Sequence, residues 1–233
     1  MANFYWTKDI DEARKEQQTL VELVKTKKST FDSAHFNFGL AIGTSYEENT
    51  KTAFAVCIMF DRRGKTIGDC IITKAEVDFP YVPGLLAFRV GSAICLALAQ
   101  VTDKIDLLLF DGQGIAHPRG FGLASHIGVL FDKPSVGVTK KALFGNYTLP
   151  TKGIHHTDLR HPRTNVTIGY CVSTSNSHDP FFMSPGHRIT LSESLEFIKM
   201  IAGDSYLPDP LRIVHVRANR LVREYWDKQK KTS

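Results

Sequence analysis

The sequence predicts an α/β protein with one mixed β-sheet flanked by helices, and three observations carry that prediction. Three β-rich runs, "FNFGLAIGTSY", "TAFAVCIMF" and "TIGDCIITKAEV", follow one another closely, with "DRRGK" as the turn between the second and third. That is the pattern of an antiparallel meander. Residues 85–101, "LLAFRVGSAICLALAQV", are apolar nearly all round, as a helix buried on several sides must be. From residue 106 onward strands and helices alternate, which calls for parallel strands joined by helical crossovers. A length of 233 residues suits a single domain spanning 1–233, with a core large enough to fold alone.

Each element follows from local pattern. "DIDEARKEQQTLVELVK" (9–25) is a polar N-terminal helix with a thin apolar stripe. "FPYVPG" (79–84) breaks the chain with two prolines before the long apolar helix. Then come strand "DLLLF", a helix over "GFGLASHIGVLFD", strand "PSVGVTK", and strands near "VTIGYCVS" and "PFFMS". A helix over "TLSESLEFIKMIA" opens with the capping-box spacing Thr190 to Glu193. The last helix starts at "PDPLR", with Asp209 as N-cap and Pro210 in the first turn, and runs with a basic tail over 210–233. This order suits a ribonuclease H-like architecture, although other α/β folds share it.

Composition narrows the class. Hydrophobic content of 42% and charged content of 23%, without low-complexity tracts or repeats, exclude a disordered or fibrous chain. The four cysteines (Cys57, Cys70, Cys95, Cys171) form no Cys-x-x-Cys pair and read as buried thiols rather than a disulfide framework or zinc site. The first residues lack an apolar signal core, and no run of ~18 apolar residues occurs. The expectation is a soluble protein of a reducing compartment, cytoplasm or nucleoid or nucleus, neither secreted nor in a membrane. The net charge of +5 has a location: seven basic residues after Leu211 (Arg212, Arg217, Arg220, Arg223, Lys228, Lys230, Lys231) face only Glu224 and Asp227. A phosphate-facing helix and an ordinary solvated end both fit that pattern.

The candidate chemistry gathers where strands end, since polar groups at the carboxyl ends of strands share one rim of such a sheet. Asp111 closes "DLLLF", and Gly112 and Gly114 beyond it allow close backbone approach; alternatively Asp111 caps the turn. Lys140 ends "PSVGVTK" on the same rim and could hold a phosphate or position a water; a solvated lysine is the plainer reading. Arg119 in "HPRG" reads the same way. His215 shares the apolar face of the last helix with Leu211, Ala218 and Val222, as either a core residue or the partner of an opposing charge. "YVPG" has the shape of a wedge for stacked bases, or of a rigid strand-to-helix corner.

Taken together, "FPYVPGLLAFR", "FDGQGIAHPRGFGLASHIG", "PSVGVTKKALFG", "SPGH" and "PDPLRIVHVRANRL" resemble, in order and over most of the chain, the endonuclease V family. That resemblance implies a ribonuclease H-like nuclease that recognises deaminated purines, chiefly inosine, in DNA or RNA. It also implies Mg²⁺-dependent nicking one phosphodiester beyond the inosine on its 3′ side. Carried over, the wedge falls on Tyr81, Val82 and Pro83. The pocket for a flipped hypoxanthine falls on Gly84, Leu86, Gly112, His117, Leu123 and Leu143, and the catalytic and metal positions fall on Asp111, Lys140 and His215. A flipped base needs such a snug pocket beside the scissile phosphate.

The family pattern also requires an Asp in the first strand and a Glu at the start of the long helix, where this sequence has Gly43 and Val90. Mg²⁺ is normally held between carboxylates and substrate phosphate. Glu47 shares the strand parity of Gly43 but lies ~13 Å along the strand, Glu48 has the wrong parity, and Asp78 precedes the wedge. The expectation is a monomeric nucleic-acid-binding protein that recognises inosine, binds Mg²⁺ or Mn²⁺ weakly if at all, and has lost or largely lost cleavage. An active endonuclease with an altered site and a protein-binding scaffold on a vestigial nuclease fold are the alternatives.

Overall fold

The computed structural model describes residues 6–101, 104–151, 155–174, 179–202 and 207–232. Eight strands form one sheet in the order β3-β2-β1-β4-β5-β8-β7-β6. The meander is present as β1 (Phe38–Glu47), β2 (Thr52–Asp61) and β3 (Thr66–Glu76), antiparallel throughout. β4 (Leu107–Asp111) adds to β1 in parallel and β5 (Ser135–Thr139) adds to β4 in parallel, with helix α3 (Leu123–Phe131) between them in sequence.

The parallel pattern stops there, which corrects the expected alternation. β8 (Phe181–His187) runs antiparallel to β5, and β7 (Thr167–Val172) and β6 (His156–Arg160) continue the antiparallel set. β6 was not anticipated: "HTDLR" has a single apolar residue, Leu159, and the strand exists because β7 offers it an edge.

Strict side-chain alternation divides the core into two layers. Leu107 and Leu109 point into one cluster with Val214, Phe197 and Ile198, while Leu108 and Phe110 point into the other with Val90, Ile94 and Ile127. Helices α2 (Leu86–Leu98) and α3 therefore cover one face, and α4 (Leu191–Ile201) and α5 (Asp209–Thr232) the other. The reciprocal Thr190–Glu193 capping box opens α4. α1 (Ile10–Leu20) is capped by Asp9 and gives way to a 3₁₀ turn at Val21–Leu23, two residues short of the expected end. Asp209 is the first residue of α5 rather than its N-cap; its carboxylate accepts from the Arg212 guanidinium, and the Arg212 N–H donates to the Pro208 carbonyl.

All four cysteines are free thiols; Cys57, Cys95 and Cys171 are buried and Cys70 is half-buried. Among the described residues no helix is long and apolar enough to cross a membrane.

Candidate nucleic-acid interface

Asp111, Lys140 and His215, 104 residues apart at the extremes, meet at one rim of the sheet. His215 Nδ1 lies 2.6 Å from Asp111 Oδ2, and Lys140 Nζ lies 3.2 Å from His215 Nε2, with Asn219 Nδ2 at 3.3 Å. A carboxylate can only accept, so Nδ1 carries the hydrogen and the Nε2 lone pair faces the two donors. The result is a closed line of hydrogen bonds from carboxylate to imidazole to ammonium.

Gly43 stands next to that line. The parallel register pairs Ile42 with Phe110, and one step further sets Gly43 beside Asp111 with the same parity, facing α5. The space an acidic side chain would need is filled by backbone: a β-carbon at Gly43 would meet the Val214 carbonyl carbon and oxygen at 2.9 Å. Two residues on, the Ser45 hydroxyl donates to the Ala218 carbonyl at 2.8 Å, so β1 and α5 are docked backbone-close along this stretch. Val90, at the other expected ligand position, is 1% exposed and belongs to the core between α2 and the sheet.

The nearby acids are committed elsewhere. Glu47 accepts from the N–H groups and side chains of Asn49 and Thr50, closing the β1–β2 turn. Glu48 pairs with Arg89, and Asp78 with Lys51 at 2.7 Å. Among the described residues no group of three or more His, Cys, Asp or Glu converges. The residues present do not fit the carboxylate cage that a catalytic Mg²⁺ requires.

The expected wedge stands out from the surface: Tyr81 is 70% exposed, Pro83 is exposed, and Val82 packs its inner side on Phe79, Leu85 and Phe88. Buried Arg89 supports it, its guanidinium 3.7 Å from the Tyr46 ring centroid and 5.6 Å from that of Tyr81. Directly behind the wedge lies an open recess lined by Gln17, Gly84, Leu86, Ala87, Gln113, His117, Gly122, Leu123 and Leu143. Five of the six residues assigned to a base pocket from sequence are therefore together, with Leu143 a partly exposed wall. The sixth, Gly112, underlies it: a β-carbon there would meet Leu123 Cδ2 at 3.0 Å.

The pocket's polar groups are partly spoken for. The Gly84 carbonyl accepts from His117 Nε2 at 2.9 Å, Arg119 Nη2 at 2.9 Å and Gln17 Nε2 at 3.0 Å. Gly84 has φ of +84°, which only glycine adopts without strain. His117 completes its neutral tautomer by accepting from the Arg119 backbone N–H at Nδ1, 3.2 Å. Burial, and secondarily the Arg119 charge, lowers it to about 4. At the pocket's other side α2 begins at Leu86 without a side-chain cap, and the first N–H groups of a helix have no intrahelical acceptor. Leu86 and Ala87 of this first turn both line the pocket.

Arg119 was read from sequence as a phosphate contact or a solvated side chain; its guanidinium turns inward, with Nε donating to Gln17 Oε1 at 2.5 Å. Gln17 and Gln113 were missed. The signal for Gln17 was present, because Ala13 and Gln17 occupy one helical stripe and a Gln on a buried stripe needs partners. On α5, Arg217, Arg220 and Arg223 are exposed, with Arg220 paired to Glu224. The side chains of Lys228, Lys230 and Lys231 lie outside the described residues.

This sheet order with a rim-bound acid and histidine defines a ribonuclease H-like nuclease scaffold. The Endonuclease V family model matches residues 17–216, and the chain belongs to the Endonuclease V family. It is 36% identical over 208 residues to the endonuclease V of Thermosipho melanesiensis, covering 88% of this chain and 91% of that protein. The crystal structure of endonuclease V from Streptomyces avermitilis superposes with a TM-score of 0.81 at 28% identity, over 94% of this chain and 96% of that one. The Ciona intestinalis enzyme, crystallised with a 24mer DNA containing an inosine followed by a ribo-adenosine, shares the fold at 20% identity and a TM-score of 0.80, over 93% of this chain and 98% of that one.

Proposed function

We propose that the protein binds nucleic acid at inosine and holds the flipped base in the pocket behind Tyr81, while metal-dependent cleavage is lost or strongly impaired. The observation that carries this reading is an asymmetry. The wedge and pocket are assembled, whereas the position beside Asp111 that the family fills with a carboxylate is filled by the Val214 backbone. N–H groups in the first turn of α2, where Leu86 and Ala87 line the pocket, would suit the 6-oxo group of hypoxanthine and disfavour the 6-amino group of adenine, which is itself a donor. The inosine-containing DNA held by the Ciona relative supports the same ligand.

Asp111 and His215 can attract a hydrated Mg²⁺ or Mn²⁺ weakly, but they are a poor frame for fast hydrolysis. Four free thiols suit a reducing compartment, and a monomer suffices for every contact invoked. A second reading, an active endonuclease with an altered site, is favoured by the retained Asp111–His215–Lys140 line.

The test is a gel with inosine and adenine oligonucleotides, as DNA and as RNA, with Mg²⁺, with Mn²⁺ and with neither, scored for both shift and nick. An inosine-selective shift without nicking is expected. Robust Mg²⁺-dependent nicking that Asp111→Ala abolishes would establish the second reading instead. Gly112→Leu, which fills the pocket against Leu123, should remove the preference for inosine while leaving generic binding.

A further inference from the structure

The N-terminal helix belongs to no part of the recognition apparatus assigned so far, yet one of its side chains reaches the pocket. Gln17 is 1% exposed and its side chain makes three hydrogen bonds, none to its own helix. Its Nε2 donates to the Gly84 carbonyl and to the Phe121 carbonyl, both at 3.0 Å, and its Oε1 accepts from Arg119 Nε at 2.5 Å. These partners fix the amide orientation, because two carbonyls require the N–H₂ end and a guanidinium requires the oxygen.

Two of the three bonds bear on the corner that joins wedge to pocket, one directly and one through Arg119, and the third reaches the facing wall. Gly84 follows Pro83 directly and precedes the turn into α2; its carbonyl is held at once by Gln17, His117 and Arg119. Phe121 directly precedes Gly122 and Leu123, the N-cap and first residue of α3, which form the opposite wall. Gln17 therefore ties the two walls of the pocket to each other and to α1. The same face of α1 buries Ala13 against Phe79, Leu85 and Phe88, beneath the wedge.

We infer that Gln17, with Arg119, is a positioning residue for base recognition: it fixes the Gly84 peptide and so sets the spacing between the two walls that grip the flipped base. The inference rests on the inosine reading. Without the clamp, a glycine corner at positive φ has several accessible orientations, and ordering it would be charged to each binding event. The cost falls only on ligands that enter the pocket.

The experiment measures dissociation constants for two single strands differing only in inosine or adenine, by fluorescence anisotropy, for the wild type, Gln17→Met and Arg119→Lys. Met keeps the length of Gln and removes all three bonds; Lys keeps the charge but cannot bridge Gln17 and Gly84 together. Each substitution should weaken inosine-strand binding about tenfold, the scale of one or two hydrogen bonds, and leave adenine-strand affinity and its salt dependence unchanged. A merely structural role would lower the melting temperature and weaken both strands alike, which overturns the inference. Equal wild-type affinity for the two strands would sink the inosine reading and this inference with it. A wild-type preference that survives both substitutions would sink the positioning role alone.

Discussion

Gly43 and Val214 are separated by 171 positions in sequence, yet a β-carbon on Gly43 would lie 2.9 Å from the Val214 carbonyl carbon and oxygen. The next residue on the helix, His215, makes the 2.6 Å contact with Asp111. The two facts are linked: α5 approaches closely enough to bring His215 to Asp111 because β1 presents no side chain at that point. Gly43→Ala should therefore force the helix outward by a few tenths of an ångström at least. The expected cost is about 1–3 kcal/mol, the range for overpacking a tight contact. For a chain of this size each kcal/mol lowers the melting temperature by about 2–4 °C. Urea unfolding of the variant checks it, and an unchanged midpoint would mean that the helix moves freely.

The same geometry bears on restoring the family's carboxylates. Gly43→Asp with Val90→Glu places an acid under the Val214 backbone and another in the core, so the double variant should be less stable than either parent without metal. A cation that pairs with the buried charges stabilises only the folded state. The melting temperature of the double variant should rise on adding Mn²⁺, by more than that of wild type, and inosine-strand nicking should increase. The single changes should help less, since ligands of one ion act as a unit. Equal Mn²⁺ responses in wild type and double variant would show that the helix has closed over the position for good.

Much of this was legible because it is local. The meander, the all-apolar α2 and the Thr190–Glu193 box are set by residues within a few positions of one another, and all three stand where the pattern put them. The residues that the resemblance assigns to a base pocket came from a motif, and five of the six line one cavity. What the sequence concealed is non-local. The direction of β8 beside β5, the existence of β6, and the inward turn of Arg119 depend on partners brought together only by the folded chain. Gln17 bonds residues 67, 102 and 104 positions away, and no periodicity carries that information. At Gly43 the resemblance implies an acid where the sequence has glycine; the filled space is a property of α5.

Stability should depend on pH through His117. Its folded value, about 4, lies below the ordinary 6.5 because burial disfavours the cation. Between those values the unfolded chain binds more protons than the folded one, so the contribution is complete above about pH 6.5 and is lost as pH falls toward 4. It amounts to at most about 3 kcal/mol. Buried His126 and His187 are shifted in the same direction, again mainly by burial, and add to the slope. His117→Gln, which keeps a donor for Gly84 and cannot titrate, should flatten the curve of unfolding free energy between pH 4 and 6.5 without abolishing it. A slope identical to wild type would mean that His117 is already accessible to protons.

The basic face of α5 makes the last prediction. Arg217 and Arg223 are exposed, and the Arg220–Glu224 pair, 67% and 47% exposed, is weak enough to yield to a phosphate. Each phosphate neutralised on a single strand releases counterions and contributes about 0.7 to the slope of log affinity against log salt. Replacing Arg217, Arg220 and Arg223 together by Gln should lower that slope by about 2 and weaken adenine and inosine strands equally, since phosphate contacts carry no base information. The ratio of the two affinities should stay at its wild-type value, because among the described residues none of α5 lines the pocket. Binding titrations from low to moderate salt on both strands separate the two contributions. An unchanged slope would show that nucleic acid does not run along α5, and a changed ratio would show that the helix also touches the base pocket.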